Sequence, residues 1–225
     1  MLQTVSQRYQ GSCMMIMRRT GDEVTFLGSA FLVHPDGYLL TTARTVGDGS
    51  NLVVVPPQAA EDFVPVTREE VSPVPVDLVA ADAPHDVALL RFTPDLEINM
   101  PEEILGSSSN DPRGALLMSL GVPFGYYRIH NVVAAQSVLS SRVRSRTGTD
   151  LVIFDRRVQY GDIGGPLVSV TDGTVIGIIG GVFDPQELEG ITSPEGLTPI
   201  NSDLSYASAI EYGTELLHAA LANNE

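Results

Sequence analysis

Short runs of strand-forming apolar residues recur along the first ninety positions, and turn residues separate them. "SCMMIM" (12–17) and "VTFLGSAFLV" (24–33) come first. "HPDG" (34–37) supplies a turn, with Pro35 presetting φ and Gly37 accepting a positive one. "YLLTTA" (38–43) follows, so residues 24–43 read as a hairpin. "LVVVPP" (52–57), "FVPVT" (63–67), "VDLVAA" (76–81) and "VALLRF" (87–92) extend the series. Strands about 8–12 residues apart predict an all-β barrel or sandwich. The 21 Gly and 15 Pro, scattered along the chain, leave little room for long helices.

Residues 93–113, "TPDLEINMPEEILGSSSNDPR", are rich in Pro, Ser and acid and read as a connection between two halves. A second strand series then begins: "ALLMSLG" (115–121), "NVVAAQSVLSSRVRS" (131–145), "LVIFD" (151–155), "GPLVSV" (165–170) and "TVIGIIGG" (174–181). "DPQELEGITSPEGLTPINSD" (184–203) reads as a long polar loop. Leu216, Leu217, Ala220 and Leu221 stand at helical spacing, which predicts a C-terminal helix packed by one face. The division drawn is an N-terminal barrel at 1–98, a linker at 99–113, and a C-terminal barrel with its helix at 114–225.

A net charge of −15 argues against nucleic acid and anionic membrane as partners, because both repel an acidic chain. No apolar run reaches the ~20 residues of a membrane span. "MLQTVSQRYQGSC" lacks the charged-then-apolar pattern of a secretory leader, so a cytoplasmic location is expected unless a signal has been removed. Cys13 is alone, which excludes an internal disulfide and a CxxC motif. His34, His85, His130 and His218 stand at no metal-ligand spacing, and there is no phosphate-binding Gly loop or dinucleotide fingerprint. Neither metal nor cofactor is expected.

Four ordered stretches carry the chemistry: "GSAFLVHPDGYLLTTARTV" (28–46), "HDVALLRF" (85–92), "LGVPFG" (120–125) and "FDRRVQYGDIGGPLV" (154–168). Together with the closing "SYASAIEYGTELL" (205–217), they resemble trypsin-like serine proteases of the HtrA class over nearly the whole chain. The resemblance implies two six-stranded antiparallel β-barrels with a C-terminal helix. It also implies the trio of base, orienting carboxylate and nucleophile, at positions that here hold Arg44, Asp86 and Ile163. Ser–His–Asp chemistry needs an attacking hydroxyl and a base that titrates near neutrality. Ile163 has no lone pair, and Arg44 stays protonated with no acceptor nitrogen. The expectation is therefore a catalytically inactive pseudoprotease.

Arg44 is expected to pair with Asp86 in a desolvated and even bidentate contact, the other arrangement being a side chain pointing into solvent. The N–H groups of Gly161 and Ile163 keep an oxyanion hole if the loop holds its shape, and lose it if the loop collapses. In the family the substrate adds as a strand after the nucleophile loop, here the segment Gly177, Ile178, Ile179, Gly180, Gly181 and Val182. That segment, read as an open strand edge, and the loop Asp184–Asp203 are the expected contact surfaces. Arg142, Arg144 and Arg146 alternate, with Arg156 and Arg157 nearby in sequence, and read either as a solvated face or as a dock for an acidic partner.

The function expected is a protein- or peptide-binding or structural subunit of a larger assembly. No PDZ-like peptide-sensing domain follows in the sequence given. The alternatives are a serine-type peptidase with a non-standard nucleophile, or a regulatory partner of an active HtrA-like relative. Cys13 is expected to be a small core hydrophobe rather than that nucleophile. His85 adjoins Asp86 but is expected to point the opposite way.

Overall fold

The computed structural model describes residues 1–9, 11–57, 63, 65–67, 71–101, 103–190 and 202–223. In chain order the elements are α1 (Leu2–Tyr9), β1 (Cys13–Thr20), β2 (Glu23–His34), β3 (Tyr38–Thr41), α2 (Ala43–Val46), β4 (Leu52–Val55), β5 (Val74–Asp82), β6 (Val87–Phe92), β7 (Leu116–Gly121), β8 (Val133–Arg144), β9 (Asp150–Phe154), β10 (Pro166–Ser169), β11 (Val175–Val182), α3 (Pro185–Glu189), β12 (Ser205–Ala209) and α4 (Ile210–Ala222). The strands close into two antiparallel barrels, ordered β1-β2-β3-β6-β5-β4 and β10-β11-β12-β9-β8-β7. This is the double barrel with a C-terminal helix that the motifs imply.

Each barrel has its own core. Ile16, Leu39, Val54 and Leu90 fill the first, and Leu117, Leu139, Phe154 and Ile176 fill the second. A third apolar cluster lies between them, where Phe31, Leu40 and Leu89 meet Leu120, Val168 and Ile178. Register shifts at Ile16/Met17, Leu78/Ala80 and Ile179/Gly181 interrupt long strands, and such bulges bend a strand enough to close a barrel.

Two strand expectations need correction, and one helix was missed. Residues 63 and 65–67 lie outside any strand, and the first barrel closes with the six strands expected. Pro65 lacks the N–H that a ladder needs, and Phe63 has no core to enter, being fully exposed. The strand read as 38–43 stops at Thr41, because the next residues turn into α2 beside Asp86. Finally, α1 was not anticipated. Only Val5 and Tyr9, four residues apart, are buried in it, too short a stripe to register as periodicity. They join Leu217 of α4 in the cluster between the barrels.

The connection between barrels is anchored rather than loose. The Val175 N–H donates to the Ile104 carbonyl at 2.7 Å, and the Gly106 N–H donates to the Val175 carbonyl at 2.9 Å. The Tyr9 hydroxyl sits 3.2 Å from the Ile104 carbonyl and 2.9 Å from that of Gly173.

Candidate functional site

The cleft between the barrels is built around the loop that carries Ile163. Gln159 opens a short 3-10 turn over Tyr160–Asp162, and Asp162 closes it by accepting the Gln159 N–H at 2.9 Å. Ser29 of β2 staples the loop to the first barrel. Its hydroxyl donates to the Gly161 carbonyl at 2.7 Å and accepts the Val122 N–H at 3.0 Å, while its N–H donates to the Ile163 carbonyl at 2.8 Å. The glycines exist because other backbone passes close by. A Cβ on Gly161 would lie 2.0 Å from the Val122 carbonyl oxygen, and one on Gly165 2.1 Å from that of Leu120. Gly164 has φ 87°, and a Cβ there would lie 2.1 Å from the Ser29 carbonyl oxygen.

Of the two donors expected for a residual oxyanion hole, the Ile163 N–H is engaged within the loop. The Ile163 N–H donates back to the Tyr160 carbonyl at 3.3 Å, closing the 3-10 turn, so it is turned away from any incoming oxygen. The loop itself keeps its staple to β2 through Ser29, so the change lies in the direction of this N–H.

Asp162 is fully buried, and its Oδ2 lies 3.3 Å from Nη2 of Arg156. Burial nevertheless pushes its carboxyl above the usual carboxylate range, outweighing the Gln159 N–H and Arg156.

Arg44 and Asp86 do meet. The Arg44 backbone N–H donates to Asp86 Oδ1 at 2.9 Å, so the carboxylate holds the first turn of α2. The Arg44 Nε lies 3.3 Å from Asp86 Oδ2, an ion-pair distance without hydrogen-bond alignment. The contact is neither bidentate nor desolvated on both sides, because the side chains are 49% and 24% exposed for Arg44 and Asp86. The long guanidinium stem reaches water while the short carboxylate, on a left-handed backbone of φ 57°, stays under it. Burial therefore raises the Asp86 carboxyl above its ordinary range, and the half-solvated Arg44 only partly opposes this.

Tyr206 of β12 is a cleft residue that the sequence reading passed over; in a strand, one Tyr carries no signal of which surface it serves. Its hydroxyl accepts from Nη1 of Arg44 at 3.2 Å, and its ring lies against Gly180, where a Cβ would sit 2.2 Å from it. A Cβ on Gly181 would lie 3.7 Å from Nη2 of Arg44, 3.8 Å from the Tyr206 ring and 3.9 Å from Cδ1 of Ile163. Three side chains thus converge on one glycine of β11.

The expected open edge is largely closed. Gly177 and Ile178 pair with β10 on one side and β12 on the other, and Ile179 exchanges hydrogen bonds with Gly164 and Gly165. A barrel strand has two neighbours, which a linear motif does not reveal. Beyond Ile179 the pairing with β10 ends while that with β12 continues, Gly181 opposite Tyr206 and Val182 opposite Ser205. The Phe183 N–H donates to Leu204, so alternation of the ladder turns the N–H and C=O of Val182 to the open side. Of Gly177–Val182, only the end is an edge.

The basic patch also needs correction. Arg146 lies beyond the end of β8, so the three Arg side chains do not share one strand face. Arg142 donates to the carbonyls of Ser108 and Asp111 and clamps the linker, and Arg144 makes a two-pronged contact with Asp150 at 2.6 and 3.0 Å. Arg157 donates to the Ser202 carbonyl at 3.3 Å. These cations serve the fold. In the loop 184–203, α3 occupies Pro185–Glu189, and residues 191–201 lie outside the described residues.

Among the described residues, neither Cys13 nor His85 is placed as a nucleophile beside Ile163. Cys13 is fully buried, and burial pushes its thiol up to about 12, far from a thiolate. The His85 Nδ1 lies 2.6 Å from Asp82 Oδ2, and its ring stacks on Tyr212 at 3.9 Å. No helix among the described residues is long and apolar enough to cross a membrane.

Comparison with known proteins gives a consistent match. Residues 28–178 match the trypsin-like peptidase domain. A probable periplasmic serine endoprotease DegP-like from Pseudomonas fulva is 31% identical over 164 residues, which are 72% of this chain and 30% of that protein. The protein of the same description from Halomonas elongata is 31% identical over 165 residues, 72% of this chain and 31% of its own. This chain thus spans about a third of the length of the curated relatives it matches. Among solved structures, the HtrA-type protease AlgW with tripeptide superposes with a TM-score of 0.71 at 21% identity, covering 100% of this chain and 65% of that one. AlgW with decapeptide gives 0.70 at 19% identity, covering 99% and 68%.

Proposed function

Because the chain belongs to the trypsin-like peptidase family, on its HtrA-type side, we propose that it is a member without peptidase activity that works as a protein- or peptide-binding subunit. The observation that carries this reading is the convergence of Arg44 and Ile163 where the family's chemistry needs a base and a nucleophile. A guanidinium accepts no proton, and an alkyl side chain attacks nothing. The direction of the Ile163 N–H argues the same way, since an N–H spent on Tyr160 stabilises no oxyanion. The curated relatives are named endoproteases, and this chain departs from that activity at the residues that would perform it.

Retention of "GDIGGP" does not need catalysis to explain it. Each glycine sits where neighbouring backbone excludes a Cβ, and Gly164 does so against Ser29 of the other barrel. What the cleft keeps is the open side of Val182, where an extended segment can add by backbone pairing. Pairing with an active relative is one form of the same role.

A fluorophosphonate probe tests the loss of chemistry. The expected intact mass is unchanged, and stoichiometric labelling of one residue refutes the reading. Hydrogen exchange with the native partner tests the role: protection is expected around 180–182, and protection confined to 142–157 overturns the choice of surface.

A further inference from the structure

We propose that the hollow between α1, the first barrel and the inter-barrel connection binds a single aliphatic chain that ends in a carboxylate. It shares no residue with Arg44, Asp86, Ile163 or Tyr206, so it stands apart from the cleft and from the binding role proposed above.

The hollow follows from how the connection packs. Leu96, Ile98 and Met100 alternate with polar residues in an otherwise acidic stretch. Ile98 and Met100 lie against the cluster that holds Met14, Leu32 and Phe92, but they do not fill the space over it. A cavity of about 440 Å³ remains, lined by these residues of barrel and connection. Small-molecule sites commonly span ~300–1,000 Å³.

The lining decides the chemistry. Met14, Leu32 and Phe92 are 5%, 6% and 7% exposed, so the barrel side is reached only narrowly. A hollow of that shape admits a slender chain and offers no face to a partner's flat surface. The side chains contributed by the strands are all apolar, so the deep part holds methylenes and would penalise a polar group. Met14 and Met100 are unbranched thioethers that adapt to a flexible guest.

The polar end is Arg8. It lines the cavity from the exposed side of α1, and its Nη2 donates to the Glu103 carbonyl. That contact anchors the guanidinium and leaves other N–H donors unused. Among the described residues no carboxylate lies within ion-pair distance of Arg8, not even Glu97, which also lines the cavity. An apolar hollow with one anchored guanidinium matches an amphiphile with one anionic end. The chain supplies most of the affinity, and the exposed Arg8 selects the charge.

The test titrates the intact chain by calorimetry with hexanoate, octanoate and decanoate, each below its micelle concentration, and with decylamine. Saturable binding of one decanoate per chain is expected, and each added methylene is expected to tighten it by up to about fourfold, the factor for a buried CH₂. Decanoate is expected to bind about threefold to fivefold tighter than decylamine, the reach of an exposed ion pair, although the acidic chain as a whole favours the amine. Arg8→Gln is expected to remove that preference and to keep the dependence on chain length. A decanoate with a diazirine at its tail is expected to label Met14, Leu32, Phe92 or residues 96–104 on irradiation. Absence of saturable binding, no gain with chain length, or label confined to other segments overturns the site. Equal or tighter binding of decylamine by the unaltered chain overturns the carboxylate end. These comparisons on the unaltered protein decide the matter even where Arg8→Gln fails to fold.

Discussion

Asp86 has a structural role of its own, and its contacts define it. It accepts the Arg44 N–H at the start of α2 as well as facing the guanidinium. Removing the carboxylate thus frees a helix-end donor, whereas removing the Arg44 side chain loses only a half-exposed ion pair. Asp86→Ala is expected to lower unfolding free energy by about 1.5–3 kcal/mol, the range of hydrogen bonds to charged groups. Arg44→Ala is expected to cost under about 1 kcal/mol, and a double-mutant cycle to give a coupling of that size. Denaturant titration of the four proteins measures this; a coupling above about 3 kcal/mol restores the fully desolvated pair expected from sequence.

Asp162 has no exposure at all, and burial raises its carboxyl above the usual range near ~3.9. A carboxyl whose folded pKa is raised binds its proton more tightly in the native state. Its favourable contribution is fully present below the ordinary carboxylate pKa and is lost as pH rises through the raised value. The unaltered chain is therefore expected to gain stability relative to Asp162→Asn as pH falls from 7 into the mildly acidic range. If it loses ground instead, the ion pair with Arg156 dominates over burial.

At the scale of elements, the glycine loop separates two physical costs. Gly164 and Gly148 both have positive φ, 87° and 93°, but only Gly164 has backbone against its absent Cβ. Gly148→Ala is expected to cost about 1–2 kcal/mol from conformation alone. Gly164→Ala adds the clash with Ser29 and is expected to cost about 3 kcal/mol or more, as overpacking does elsewhere. Thermal unfolding of the two variants compares them directly; equal losses mean that docking of the loop on β2 does not require this glycine. The 3-10 turn itself was not legible in "YGDIGGP". Those letters are compatible with either direction of the Ile163 N–H, and the choice depends on the Tyr160 carbonyl, which no side chain signals.

At the scale of the whole molecule, much was legible because barrels are built from local alternation and ordered motifs. The runs 12–17, 24–33, 52–57, 76–81 and 87–92 correspond to strands of the first barrel. The positions of Arg44, Asp86 and Ile163 could be read from flanking residues that the fold itself requires. What escaped depends on closure in space. Ile178 looks like an edge residue in a linear string and is an interior strand residue once β12 arrives from thirty positions later. Tyr206 enters the cleft for the same reason. Arg142 reads as surface charge until the linker folds back beneath it.

The central claim is that this double barrel has kept its shape and lost its chemistry. Turnover of a peptide ester by the purified chain tests it most directly, with the Ile163→Ser variant measured alongside. The account predicts that both hydrolyse the ester no faster than buffer, because Arg44 still cannot take a proton when a hydroxyl is restored. Sustained turnover by the unaltered chain, co-purifying with it through successive columns, would contradict the claim.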